Sequence, residues 1–175
     1  MVKEIKIGVL ALQGDVIEHI KTLQALKVQT KEVRLPTDLQ GLDGLILPGG
    51  ESTTISKLLI QSGIDKAIKH YHKKGMAVFG SCAGAIIICK KIVDEKIVKP
   101  LRLIDITVQR NAFGPQLESF ETDLNFIGEK KKFHAAFIRA PIIKSVGTKT
   151  TVLSEFKNQP VLVAQDNVLV STFHT

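Results

Sequence analysis

Residues Met76-Ala77-Val78-Phe79-Gly80-Ser81-Cys82-Ala83-Gly84-Ala85-Ile86-Ile87 decide the reading of this chain. The short apolar run predicts a buried strand over 76–79, and the stretch from Ala83 to Lys91 predicts a helix. Only Gly-x-Cys-x-Gly separates them. A strand passing into a helix through small residues is the pattern of a nucleophile elbow. The sharp turn lifts Cys82 above the sheet edge. The helix N-terminus then offers partial positive charge and free N–H groups, which lower a thiol pKa and hold a developing oxyanion. The bland alternative is a buried cysteine in a tight turn, because free cysteines are mostly core residues. Cys89 lacks such a frame and is read that way.

Outward from this motif, the first half alternates strand and helix. Strands are predicted over 5–12, 29–35 and 42–47, the last stopped by Pro48-Gly49-Gly50. A helix starts after Asp15, a candidate N-cap with Glu18 three residues on, and carries the apolar stripe Val16, Ile20, Leu23 and Leu26. Two further helices are predicted over 52–62 and 65–73. Strands apolar on both faces with short connections argue for a parallel sheet covered by helices on each side. The second half reads as strands over 104–110, 137–139, 142–146, 151–156, 161–165 and 168–173. Asp166-Asn167 is a two-residue hairpin turn, so antiparallel strands join late in the chain.

The 175 residues suit one domain with a full core. A formal charge of +7 is spread along the chain, and its densest cluster, Lys130-Lys131-Lys132, is short, so no nucleic-acid partner is expected. Cys82 and Cys89, read on one helix about 10 Å apart, are too distant for a disulfide and fit a reducing cytoplasm. The N-terminus lacks a signal-peptide pattern. No apolar run approaches the roughly 20 residues of a membrane helix, so no membrane partner is expected.

Three further features carry chemistry. Pro48-Gly49-Gly50-Glu51-Ser52-Thr53-Thr54 follows a strand and opens a helix, where N–H groups favour a carboxylate or an oxyanion. Taken alone, that segment reads better as a plain turn capped by Ser52, because Gly-Gly turns are common. His174, at a strand end, is one of five histidines that are candidate bases for a cysteine. His70 and His72 lie in a polar helix, His19 on a helix and His134 in a polar turn. Arg110 and Arg139 end strands, where they are either surface residues or clamps for a substrate carboxylate.

In chain order, Gly8-Val9-Leu10-Ala11-Leu12-Gln13-Gly14, Leu45 to Thr54, Gly80 to Gly84, Arg110-Asn111-Ala112-Phe113-Gly114, Phe137 to Pro141 and Ser171-Thr172-Phe173-His174 form a pattern spanning nearly the whole chain. It resembles the glutaminase subunits of pyridoxal 5′-phosphate synthases, a family of class I glutamine amidotransferases. The resemblance implies a three-layer, flavodoxin-like α/β fold with a mixed, mostly parallel sheet. It implies Cys82 as nucleophile and His174 as base. Gly50, Glu51, Ser52, Arg110, Ile138 and Arg139 would bind L-glutamine. Gly49 and Ala83 would supply the oxyanion hole, and Gln13 would lie near the partner interface. The partner is a barrel-shaped synthase subunit that receives ammonia; no cofactor or metal is implied.

The family continues His-Pro-Glu, and that glutamate orients the histidine. Here Thr175 stands at the proline position. The expectation is a single amidotransferase domain over 1–175 that lacks its C-terminal end, with weak or no turnover, because an unoriented base adopts the wrong tautomer. Two rival readings follow. One is a non-catalytic binding subunit; the other is the glutaminase of another amidotransferase, such as imidazole glycerol phosphate synthase.

Overall fold

A computed structural model describes residues 4–110 and 119–174. The expected Asn111-Ala112-Phe113-Gly114 block therefore lies outside the described residues, as does Thr175.

The chain runs β1 (Lys6–Leu10), α1 (Val16–Ala25), β2 (Gln29–Val33), β3 (Gly44–Leu47), α2 (Ser52–Ser62), α3 (Ile64–Lys73), β4 (Ala77–Ser81) and α4 (Ala83–Ile88). Eight strands follow: β5 (Cys89–Ile92), β6 (Ile104–Gln109), β7 (Ser119–Leu124), β8 (Phe133–Ile138), β9 (Ile142–Val146), β10 (Thr151–Phe156), β11 (Gln159–Gln165) and β12 (Val168–Ser171). The main sheet has seven strands in the order β10-β11-β12-β4-β3-β1-β2. The pairs from β12 through β4, β3 and β1 to β2 are parallel, whereas β12–β11 and β11–β10 are antiparallel. The β11–β12 hairpin turns at Asp166-Asn167, and Asp166 takes the left-handed φ of 51° that such turns need.

The step from β1 to β2 moves one way across the sheet and the step from β3 to β4 moves the other. Right-handed crossovers therefore put α1 on one face and α2 and α3 on the opposite one. Leu10, Val33, Leu45, Leu47, Val78, Val163 and Val170 fill the main core between them. A smaller core joins Leu124, Phe137, Val161 and Phe173, with Phe120, Phe126, Phe133 and Phe156 packed against it. Phe120 and Phe137 stack at 4.7 Å, and Phe173 is 1% exposed. This aromatic cluster joins the β7–β8 hairpin to the main sheet, where edge and offset ring contacts add to simple burial.

Several expectations need correcting. The helix after Cys82 ends at Ile88, and Cys89 begins β5. The two cysteines thus do not share one helix; both are free. β-Branched Ile86, Ile87 and Ile88 hand over readily to a strand. The α1 stripe is incomplete: Leu26 is 69% exposed and the buried residue of the helix is His19. Its neighbour Leu23 borders a groove of about 460 Å³ on the sheet face formed with Ile46, Phe79 and Leu169. His134 lies in β8, not a turn, between Asp123 and Glu121 of β7. Among the described residues, no helix is long and apolar enough to cross a membrane.

Candidate active site

Parallel strands present their C-terminal ends at one sheet edge, where ligand sites of such folds gather. Here the segments after β1, β3, β4 and β12 carry Gln13 and Asp15, Gly49 to Ser52, Cys82, and His174. The register confirms a common level, with Leu47 opposite Gly80 and Ser171 opposite Ser81. A cavity of about 720 Å³ opens there, lined by Cys82, Ala83, His174, Glu51, Arg110 and Arg139 among others.

Cys82 sits at φ 49° and ψ −102°, a conformation L residues rarely occupy. Holding it costs on the order of 1–3 kcal/mol, which the surrounding packing must offset. Its N–H donates to the Ser171 carbonyl at 2.9 Å. The flanking glycines are required by close approach. A Cβ on Gly84 would overlap the Leu47 carbonyl oxygen, and one on Gly80 would sit 2.8 Å from the Gly84 backbone. The Gly-x-Cys-x-Gly spacing therefore reflects chain crossings as well as the turn.

One electrostatic expectation is overturned. Burial pushes the Cys82 thiol up to about 11, outweighing the lowering N–H bond from Ala83, while the Asp15 charge pushes it further up. The thiol also contacts the Ile138 carbonyl at 3.8 Å, as donor. The resting sulfur is a thiol, and α4, with 6 residues, brings too little positive end charge to reverse desolvation.

Glu51, rather than Ser52, caps α2, accepting from Thr53 N at 3.0 Å and Thr54 N at 2.6 Å. Burial raises its carboxyl, but the Thr54 and Thr53 N–H bonds win and hold it at about 2. Ser52 is buried, and Glu51 N–H donates to Gln13 Oε1 at 2.8 Å. Gln13 is therefore turned into this loop.

Arg110 reaches Glu51 at 3.5 Å, the Thr53 hydroxyl at 3.3 Å, and Glu95 by a short contact. Glu95 was not foreseen. Its carboxylate also accepts from Val98 N at 3.2 Å and from Ile97 N, which pins it beneath the guanidinium. Ile138 is 48% exposed at the rim, and Arg139, beside it, adopts a φ of 47°.

His174 is held by its backbone, whose N–H donates to the Ala136 carbonyl at 2.8 Å. Its Nδ1 lies 3.0 Å from Asp15 Oδ2. Asp15 makes no side-chain cap to α1, contrary to the capping expectation, because its carboxylate faces this ring. His19, one turn along α1, lines the same cavity; burial holds its pKa below the ordinary value, with Asp15 and Glu18 pulling it up and His174 pushing it further down. The structure thus brings Cys82, Ala83, His174, Gly50, Glu51, Ser52, Arg110, Ile138 and Arg139 onto one cavity wall, with Gly49 and Gln13 against its residues; of the other candidate bases His19 joins them, and His70, His72 and His134 do not.

The model of the SNO glutamine amidotransferase family matches residues 9–175. The pyridoxal 5′-phosphate synthase subunit PdxT of Niallia circulans is 50% identical, covering 97% of this chain and 88% of that protein. The protein of the same name from Thermus thermophilus is 47% identical over 96% of this chain and 88% of its own length. A crystal structure titled glutamine amidotransferase superposes with a TM-score of 0.91 at 47% identity, covering 96% of this chain and 89% of the other. PurLQS from Thermotoga maritima, at 14% identity and a TM-score of 0.68, shares the fold. The sheet order, the elbow and these likenesses agree: the chain belongs to the SNO glutamine amidotransferase family.

Proposed function

We propose that this chain is the glutaminase subunit of a pyridoxal 5′-phosphate synthase, hydrolysing L-glutamine and delivering ammonia to a barrel-shaped synthase subunit in the cytoplasm. The observation that carries this is Cys82 on a strained elbow, in one cavity with His174, Arg110 and Arg139, in a chain half identical to a PdxT protein. Residues 1–175 act as one amidotransferase domain in this reading.

His174 takes the Cys82 proton, and the thiolate attacks the side-chain carbonyl carbon of glutamine. Ala83 N–H, already directed at the sulfur, and the Gly49 peptide hold the oxyanion. Protonated His174 gives its proton to the leaving nitrogen, and ammonia departs, leaving a thioester. His174 then removes a proton from water, which attacks the thioester; glutamate leaves and the thiol is restored. Arg110 and Arg139 face the substrate carboxylate, with Gly50, Glu51, Ser52 and Ile138 completing its site, and Gln13 lies toward the partner.

The test is ammonia release from glutamine with and without the synthase subunit. Partner-stimulated release that Cys82→Ala abolishes is the expected result. Release that survives Cys82→Ala overturns the reading. Binding to the synthase subunit without release would favour the non-catalytic alternative.

A further inference from the structure

If Arg110 clamps the substrate carboxylate, its orientation decides which amides the site accepts. We propose that Glu95, on the segment 93–103 between β5 and β6, is the positioning residue for Arg110 and thereby sets the preference of the site for an amide that carries an α-carboxylate. This rests on the reading of the cavity as a glutamine site.

Three observations carry it. The ion pair is enclosed: the Arg110 side chain is 20% exposed and that of Glu95 13%, and Nη1 donates to Glu95 Oε2 in a short contact. Glu95 is itself held. Its Oε1 accepts from Ile97 N at 2.6 Å and from Val98 N at 3.2 Å. One oxygen thus fixes the carboxylate to its own turn and leaves the other for the guanidinium. Finally, the turn is tied to the scaffold of the site. Lys99 N–H donates to Ser56 Oγ on α2 at 3.1 Å, and Leu101 N–H donates to the Ile87 carbonyl on α4 at 2.7 Å. α2 starts from Glu51 and α4 from Cys82, so the segment is anchored to both helices whose first residues build the cavity.

Arg110 lines the cavity and Glu95 does not, so the carboxylate holds the guanidinium from the side away from substrate. Nη2 reaches the Thr53 hydroxyl at 3.3 Å. A guanidinium carries more N–H donors than these two bonds use, so donors remain for a substrate carboxylate. The Ile97 N–H bond pulls the Glu95 carboxyl below its ordinary value; burial opposes this, and the Val98 and Arg110 bonds add to the pull. Glu95 is therefore charged at neutral pH. Without that charge, Arg110 is left with Glu51, 3.5 Å from Nη2 and on the cavity wall, where pairing occupies donors that face substrate. A loosened arginine must also be ordered when substrate binds, which weakens binding.

The experiment compares Glu95→Gln and Glu95→Asp with the parent, each as the full chain together with the synthase subunit. The amide in Glu95→Gln keeps an oxygen for the Ile97 and Val98 N–H groups and loses only the charge. Two reagents label Cys82: a diazoketone analogue of L-glutamine, which carries the α-carboxylate, and iodoacetamide, which has none. In Glu95→Gln, labelling by dilute diazoketone is expected to be about tenfold slower, the loss of one charge-assisted bond. Iodoacetamide labelling and the thermal midpoint stay at parent values, and Glu95→Asp recovers part of the diazoketone rate. Diazoketone labelling as fast as in the parent, or faster, overturns the proposal. Equal slowing with both reagents, or a midpoint that falls in both variants, marks a general structural role and also overturns it. A parent whose Cys82 takes iodoacetamide but not the diazoketone, and which releases no ammonia, overturns the glutaminase reading itself and this proposal with it. Labelling of the parent therefore separates the two failures.

Discussion

Cys82 and the groups facing it are held in place by different physics. Cys82 is fixed by backbone and packing: a rare φ and ψ, an N–H bond to Ser171, and glycines at 80 and 84 that admit neighbouring chain. The opposite wall is fixed by charge. His174 leans on Asp15, and Arg110 on Glu51 and Glu95. The first kind of constraint cannot relax without moving the sheet. The second is adjustable, because its side chains are partly exposed and ionic contacts there are each modest. The Cys82 side of the cavity is thus the stiffer one, and the charged side the more adjustable.

The sharpest break of the packed half is Gly84→Ala. Its methyl would meet the Leu47 backbone, so overpacking should cost about 1–3 kcal/mol, read from urea midpoints. A variant as stable as the parent would show that the elbow yields more easily than described. On the charged half, Glu95→Gln loosens Arg110 without touching the elbow. KM for glutamine should rise about tenfold while kcat hardly changes, the loss of one charge-assisted bond. A fall in KM would mean that Glu95 competes with substrate instead of steadying its receptor. The smallest effect is at Glu51. Its carboxyl is held at about 2, below the ordinary value, so it stabilises the fold above pH 4.5 and loses that contribution as pH falls toward 2. The side chain is about half exposed, at 51%, so screening limits the effect to under about 1 kcal/mol. Urea midpoints at pH 6 and pH 3 should converge between Glu51→Gln and the parent by that amount. No convergence would remove Glu51 from the cap.

The same division explains what could be read from the sequence. Backbone constraints leave residue types behind: Gly80 and Gly84 around Cys82, Pro48-Gly49-Gly50 after β3, and apolar strands that specify a parallel sheet. Those elements were found, with α2 over 52–62 and β9 and β10 matching their predicted limits. Charge pairing leaves no comparable trace. Asp15 fits the N-cap signature, yet its carboxylate goes to a histidine 159 positions later in the chain, a partner local patterning cannot supply. Glu95 sits in a polar turn like many others. The thiol of Cys82 was expected low from its helix end, whereas the degree of burial, known only in three dimensions, pushes it up. β7 was missed because Ser119-Phe120-Glu121-Thr122-Asp123 alternates weakly and is half solvated, gaining its strand geometry from β8.

The central claim is that the two halves act as one unit on glutamine. Ammonia release in the presence of the synthase subunit, measured for Cys82→Ala, His174→Ala and the double variant, tests it most directly. The account predicts that each single change removes turnover by about 10⁴-fold or more and that the double variant is no worse, the non-additivity of groups sharing one step. Independent, multiplying losses, or release that survives Cys82→Ala, would contradict it.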